Sequence, residues 1–354
     1  MQFLWSYLHK GPSISDPCPR ASENSGERGL SVSPTAVKTK LMSKKLAFVF
    51  PGQGSQAPGM GFMLADRFED FREIYLDHLQ RADQALGFSL SKIMKEGPES
   101  ELKKTEITQP ALLCLSSAVG SWLRKNEIEA QIALGHSLGE YSALVYGGSL
   151  SFEDAIQLVS RRGRFMREAV PHGKGGMAAL IGANDEEAKK LCEEVGGEAG
   201  VLEVSVYNCA GQIVISGASE ALDLAEKRAS SFGVRKFSRL EVGGPFHSSM
   251  LQGAGEKLSK ALASIEIREP LVPIIFNVDA KVHGDPTEIR DLLKQQVYRP
   301  VLWADSIRLA GDEGFDHFVE VGSGKVLTGL IRKILPDAQC QPVDFLQKLE
   351  ILRA

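Results

Sequence analysis

The chain has 354 residues, 43% hydrophobic and 24% charged, a balance that fits a globular protein with room for two units. Its formal net charge of −4 gives no reason to expect nucleic acid as a partner, although a local basic patch would still suit an acidic protein. Five cysteines (Cys18, Cys114, Cys192, Cys209 and Cys340) form no C-x-x-C pair, which argues against a disulfide framework or zinc site and for a reducing compartment.

Residues 1–43 differ in character from the rest of the chain. They are rich in serine and proline, with only Asp16, Glu23 and Glu27 as acids. No apolar run there is long enough for a signal peptide or a membrane anchor, and no membrane partner is expected. Three readings are open: an organelle-targeting leader, a disordered tail, or translated sequence upstream of the true start. The phrase "MSKKLAFVF" from Met42 favours the third. The expected location is the cytoplasm, or an organelle if the leader is a genuine address.

"LAFVF" (46–50) predicts a buried strand delivering the glycine turn "PGQGSQ". Residues 64–85 predict one surface helix. A second helix is expected from Thr108 through "TQPALLCLSSAVGSWL", with Pro110 in its first turn. "QIAL" (131–134) predicts another buried strand and "SLGEYSALVYGG" the helix after it. "SFEDAIQLVSRRGRFMREAV" predicts a further helix capped by Ser151, with Asp154 three residues on.

The pattern changes near Pro171. "GGMAALIG", "EEAKKLCEEV", "LEVSVYN", "GQIVISG", "SEALDLAEKRASSFG" and "RKFSRLEV" read strand, helix, strand, strand, helix, strand, the ferredoxin-like order. After Gly243, "VPIIFN" and "HFVEVG" resume core strands. The expected fold is α/β, a hydrolase-like parallel-sheet core over 44–168 and 244–354, interrupted by a ferredoxin-like α+β subdomain over 169–243.

"GHSLG" (135–139) matches the G-x-S-x-G elbow, in which a serine sits on a strained strand-to-helix turn too crowded for neighbouring side chains. That setting makes Ser137 a candidate nucleophile and aims the Leu138 N–H at a developing oxyanion. An ordinary structural turn is the alternative. A serine hydroxyl needs a base. His136 adjoins it but suits a wall or loop anchor. His247, in "EVGGPFHSSM" after a predicted strand, is the better candidate, against a helix-capping role. "FPGQGSQAPGM" lacks the G-K-[ST] ending and the G-x-G-x-x-G spacing of phosphate loops. The backbone N–H of Gln53 could instead supply a second oxyanion donor.

"FPGQGSQ", "ITQPALL", "GHSLGEYSAL", "RRGRFM", "YNCAGQIVISG", "GPFHSSM" and "EVGSGKVLTGLI" occur together in this order, and over about residues 44–340 the chain resembles the malonyl-CoA:acyl carrier protein transacylase family. The resemblance implies a Ser137–His247 dyad whose histidine is oriented by a main-chain carbonyl, carried by Gln296, with Gln295 one step away. Arg299 stands where relatives often have asparagine. The resemblance also implies Arg162 as the residue that binds the malonyl carboxylate, for which a bidentate guanidinium is chemically suited. Phe246 is implied to crowd an α-methyl substituent, and Gln53, Gln109 and Asn208 to line or support the pocket.

The implied reaction moves malonyl from malonyl-CoA to the phosphopantetheine thiol of holo acyl carrier protein, ping-pong, for fatty acid synthesis. CoA enters as a substrate, with no metal or cofactor, and a monomer is expected. Arg161, Arg164, Lys325, Arg332 and Lys333 are candidates for a basic patch receiving the acidic carrier. A polyketide-pathway acyltransferase and a serine thioesterase on the same core are the alternatives.

Overall fold

The computed structural model describes residues 45–353; the leader read at residues 1–43 lies outside the described residues. The described chain opens with β1 (Leu46–Phe50), buried from Ala47 onward. Next come α1 (Phe62–Arg67) and α2 (Glu69–Leu86). The single helix predicted over 64–85 is therefore two, because the backbone turns extended at Phe68 (φ −126°, ψ 108°). Nor is it wholly a surface helix, since α2 buries Phe71, Tyr75 and Leu79 along one stripe.

Short helices α3 (Leu90–Glu96) and α4 (Glu99–Leu102) lead to α5 (Thr105–Lys125). α5 begins before the predicted Thr108, so Pro110 falls in its second turn rather than its first. A proline there leaves the Glu106 carbonyl without its usual donor. Ser160 Oγ donates to that oxygen at 3.3 Å and makes the position tolerable.

β2 (Ile132–Gly135), α6 (Leu138–Tyr146) and α7 (Phe152–Glu168) come next. Ser151 caps α7 as the spacing predicts, its Oγ accepting the Asp154 N–H at 3.1 Å. Then come β3 (Gly175–Ile181), α8 (Asp185–Ala199), β4 (Leu202–Cys209), β5 (Gln212–Ala218), α9 (Ser219–Arg228) and β6 (Lys236–Arg239). The remainder is α10 (Gln252–Leu262), β7 (Ile274–Ile275), β8 (Val282–His283), α11 (Pro286–Gln296), α12 (Trp303–Asp312), β9 (His317–Glu320), α13 (Val326–Ile334), β10 (Gln339–Pro342) and α14 (Glu350–Arg353).

The protein is α/β. Its larger sheet has the order β10-β9-β1-β2-β7-β8, parallel except for β8, which pairs antiparallel with β7. Phe50 pairs with Gly135 and Leu134 with Ile275, so β1, β2 and β7 end side by side. Loops leaving the carboxyl ends of adjacent parallel strands converge, and the site is built there.

The second sheet is antiparallel, in the order β4-β5-β3-β6. Its strands alternate between two cores, as a two-sided sheet must. Ala178, Leu180, Ile213 and Ile215 pack with α8 and α9 in a separate cluster. Met177, Val206 and Val214 face the other way and join the main core. A backbone clamp adds to this contact: Tyr207 N–H donates to Val301 O at 3.0 Å and Val301 N–H to Ser205 O at 2.9 Å.

Two glycines carry the convergence at β1 and β2. A Cβ on Gly135 would sit 1.9 Å from the Gly139 carbonyl carbon, and one on Gly139 would sit 1.9 Å from the Phe50 carbonyl oxygen. Both contacts are with backbone, which cannot swing aside. Gly139→Ala should therefore cost at least about 3 kcal/mol, read as a lower urea midpoint. A change within about 0.5 kcal/mol would mean that the turn is not so constrained.

Candidate active site

Ser137 sits between β2 and α6 with φ 50° and ψ −102°, a conformation that a non-glycine residue adopts only under constraint. The constraint comes from side chains on two other elements. Asn277, just past β7, accepts the Ser137 N–H at 2.7 Å and donates Nδ2–H to Gly135 O at 2.7 Å. Gln296, at the end of α11, donates Nε2–H to Ser137 O at 2.9 Å. Asn277 is itself fixed, its N–H donating to Glu140 Oε2 at 2.7 Å.

The Ser137 hydroxyl lies 2.8 Å from His247 Nε2. On the other side of the ring, Nδ1 is 2.7 Å from the main-chain oxygen of Gln296. A carbonyl can only accept, so Nδ1 carries the proton and Nε2 is the acceptor for Ser137. Burial, and then the Arg162 charge, push His247 down to about 3, so the imidazole is neutral at physiological pH. It does not cap the helix after it: His247 has φ 59° and precedes the short turn Ser249–Leu251.

Its loop is held from the second sheet. Ser216 Oγ donates to Phe246 O at 2.6 Å, and the Glu203 carboxylate accepts both the N–H and the Oγ–H of Ser249, each at 2.7 Å.

Arg162 comes from the middle of α7 and is only 1% exposed. Its Nη1 donates to Gln109 Oε1 at 2.8 Å, and its Nη2 to Gln296 Oε1 at 2.9 Å and Ser137 Oγ at 3.2 Å. All three acceptors are neutral. Beside it on α6, Glu140 is fully buried, and burial raises its carboxyl to about 8, against the opposing pull of the Asn277 N–H and the Arg162 charge.

These groups open into a cavity of about 220 Å³ lined by Ser137, Leu138, His247, Arg162, Gln53, Gln109, Asn208 and Phe246, while Gln296 braces it from behind. Gln53 donates Nε2–H to Thr105 Oγ1 at 3.4 Å, orienting the turn after β1. Leu138 is the first residue of α6, where a backbone N–H has no acceptor within its own helix. His136 is a loop anchor: its Nε2 lies 3.1 Å from Asn208 Oδ1 and its ring 5.5 Å from that of Trp303. Phe246, Met177, Val206 and Val214 form an apolar wall. Gln295 points away and bonds Asp291. Arg161 and Arg164 are exposed on α7.

Sequence reasoning overlooked Asn277 and Glu140. Asn277 ends the predicted strand "VPIIFN", and a lone polar residue closing an apolar run at the carboxyl edge of a sheet was the signal available.

Chemically, a serine hydroxyl bonded to a neutral, oriented imidazole can attack an electrophilic carbon, and a buried uncompensated cation at the same hydroxyl favours an anionic substrate. Among the described residues no group of side chains is arranged to hold a metal ion, and no helix is long and apolar enough to cross a membrane.

The family model for the acyl transferase domain matches residues 47–346. The malonyl CoA-acyl carrier protein transacylase of Bacillus subtilis is 42% identical over 290 residues, 82% of this chain and 90% of that protein. The solved structure of the Coxiella burnetii malonyl CoA-acyl carrier protein transacylase aligns with a TM-score of 0.83 at 38% identity, covering 88% of this chain and 96% of its own. A malonyl-transacylase in complex with its type II PKS acyl-carrier protein aligns with a TM-score of 0.82 at 36% identity, covering 88% of this chain and 98% of its own.

The low value of His247 has a consequence that an uncharged serine-directed phosphonate probe can read without disturbing Arg162. A depressed value keeps the imidazole a base as pH falls, so modification of Ser137 should stay constant from neutrality through 6.5, the ordinary histidine value, and decline only toward about 3. A half-point near 6.5 would show that the ring is not held neutral by its surroundings.

Proposed function

The chain belongs to the malonyl-CoA:acyl carrier protein transacylase family, and from that premise we propose that it transfers malonyl from malonyl-CoA to the phosphopantetheine thiol of acyl carrier protein through a malonyl ester of Ser137. The observation that carries this reading is the contact of Arg162 with the reacting hydroxyl: a buried guanidinium 3.2 Å from Ser137 Oγ marks the site for an acyl group that ends in a carboxylate.

Ser137 Oγ attacks the thioester carbon as its proton passes to His247 Nε2. The Gln53 and Leu138 N–H groups stabilise the tetrahedral oxyanion. The intermediate collapses, the carbon–sulfur bond breaks, and the proton held on His247 goes to the departing CoA sulfur. The carrier thiol then gives its proton to His247, attacks the ester, and Ser137 recovers its hydroxyl proton. Through both halves Arg162, set by Gln109 and Gln296, grips the malonyl carboxylate. A neutral acetyl group would leave that charge buried and unpaired, a penalty that opposes its transfer. The bulk of Phe246 in the apolar wall favours malonyl over an α-methyl analogue.

Several wider readings go with this one. Residues 169–243 are read as an inserted ferredoxin-like subdomain, supported by the strand order and by its separate core. The acidic carrier is read to approach over Lys325 and Lys333, because Val326 and Leu330 between them line the cavity and Lys333 bonds the lining residue Gln212 at 3.2 Å. The enzyme is read as a cytoplasmic monomer in fatty acid synthesis. The likeness to a transacylase solved with a type II PKS carrier keeps a polyketide carrier as the second reading.

Intact-protein mass spectrometry after brief mixing with malonyl-CoA tests the proposal. The parent should gain one malonyl group and lose it to added holo carrier, and Ser137→Ala should gain none. Arg162→Ala should lose roughly 10- to 150-fold in kcat/KM for malonyl-CoA, the worth of a charge-assisted hydrogen bond. An adduct released by water but never passed to the carrier would make the protein a thioesterase.

A further inference from the structure

Among the described residues, Arg162 is a buried cation bonded only to neutral oxygens. The acid placed to compensate it is Glu140, fully buried one turn into α6 from the nucleophile. One carboxyl oxygen accepts the Asn277 N–H at 2.7 Å, and the other has no hydrogen-bond partner among the described residues. Ionised carboxylates are rarely left so under-bonded out of water.

The charged and titratable groups around Glu140 are few. Arg162 faces it from α7, Tyr141 neighbours it on α6, and Asp279, past β7, opposes its ionisation. Gln296 on α11 is neutral, and its side-chain hydrogen bond to the Glu140 carboxyl favours ionisation without outweighing burial. On α5, Glu106 is paired with Arg167 at 3.0 Å, and Arg124 bonds Tyr146 O at 2.8 Å at the far end of α6. β1 and β2 contribute no charged side chain. The buried His247 imidazole is neutral and adds no charge.

We propose that Glu140 is a specificity-determining positioning residue: as a neutral acid it braces Asn277 while leaving the Arg162 charge free for the malonyl carboxylate, and once ionised it becomes an internal counter-ion that competes with the substrate. The inference rests on the malonyl-transfer reading. Burial supports it by lifting the carboxyl from 4.5 to about 8, so the group is protonated at neutral pH and ionises as the medium turns alkaline. Linkage makes the competition mutual: a carboxylate bound at Arg162 must raise the cost of ionising Glu140 by the factor that ionised Glu140 weakens binding.

The experiment is rapid-quench acylation of the full-length parent and Glu140→Gln by malonyl-CoA from about pH 7 to about pH 9.5, with acetyl-CoA as a competing ligand of identical nucleotide and neutral acyl group. Gln keeps the acceptor for Asn277 but cannot ionise. In the parent the half-saturating malonyl-CoA concentration should rise about tenfold across the range, the worth of one pKa unit of coupling. In Glu140→Gln it should stay within about twofold, and the acetyl-CoA inhibition constant should not move in either. No rise in the parent, an equal rise in both proteins, or the same rise for acetyl-CoA would overturn the proposal.

If Glu140→Gln fails to fold, infrared titration of the parent decides. A protonated-carboxyl band should ionise at higher pH in the malonyl-enzyme than in the free enzyme, and unchanged titration would count against the assignment. Absence of any malonyl-serine strikes the transferase reading itself. Normal acylation with a flat profile strikes only the role given to Glu140.

Discussion

The main-chain oxygen of Gln296 accepts the His247 Nδ1–H at 2.7 Å, its side-chain oxygen accepts from Arg162 at 2.9 Å, and its amide donates to Ser137 O at 2.9 Å. Base, cation and nucleophile are thus referred to one residue at the end of α11. Reacting groups must be held to fractions of an ångström, and a single fully buried anchor does this with little freedom left to lose. It also explains why a carboxylate is not needed behind the histidine. A carbonyl fixes the tautomer as well as an acid does, without adding a charge that would attract Arg162 away from the substrate.

The electrostatics stem from the same crowding. His247, Arg162 and Glu140 lie out of water, and each is pushed toward its neutral form by burial. For the imidazole this is useful, since a neutral ring can take the serine proton. The guanidinium cannot shed its proton in practice, so its charge stays and waits for an anion. The cost of that buried charge is borne by the rest of the fold, including the apolar wall and the second sheet whose Ser216 and Glu203 pin the His247 loop.

Much of this was legible in the chain itself. The elbow announced itself because Gly135 and Gly139 are sterically required, His247 stood out by its place after a predicted strand in "EVGGPFHSSM", and Arg162 was readable through the resemblance. The strand, helix, strand, strand, helix, strand order over 175–239 was readable segment by segment in the sequence. The less legible parts depend on long-range contact. Nothing local tells that α5 starts at Thr105, because the Glu106 carbonyl freed by Pro110 is satisfied by Ser160 on a different helix. Nor does "VPIIFN" say that its asparagine will lock a turn 140 positions away in sequence. Glu140 was hidden for the same reason: its meaning lies in the absence of water and the nearness of Arg162, neither of which leaves a mark on "GEYSAL".

Everything in this mechanism turns on a covalent acyl-enzyme, as opposed to direct transfer within a complex of both substrates. Isotope exchange between malonyl-CoA and labelled free CoA, with no carrier protein present, separates the two. A malonyl-serine requires rapid exchange by the parent enzyme, because CoA leaves before the carrier arrives and can return to the ester. Exchange that appears only when the carrier is added would contradict it.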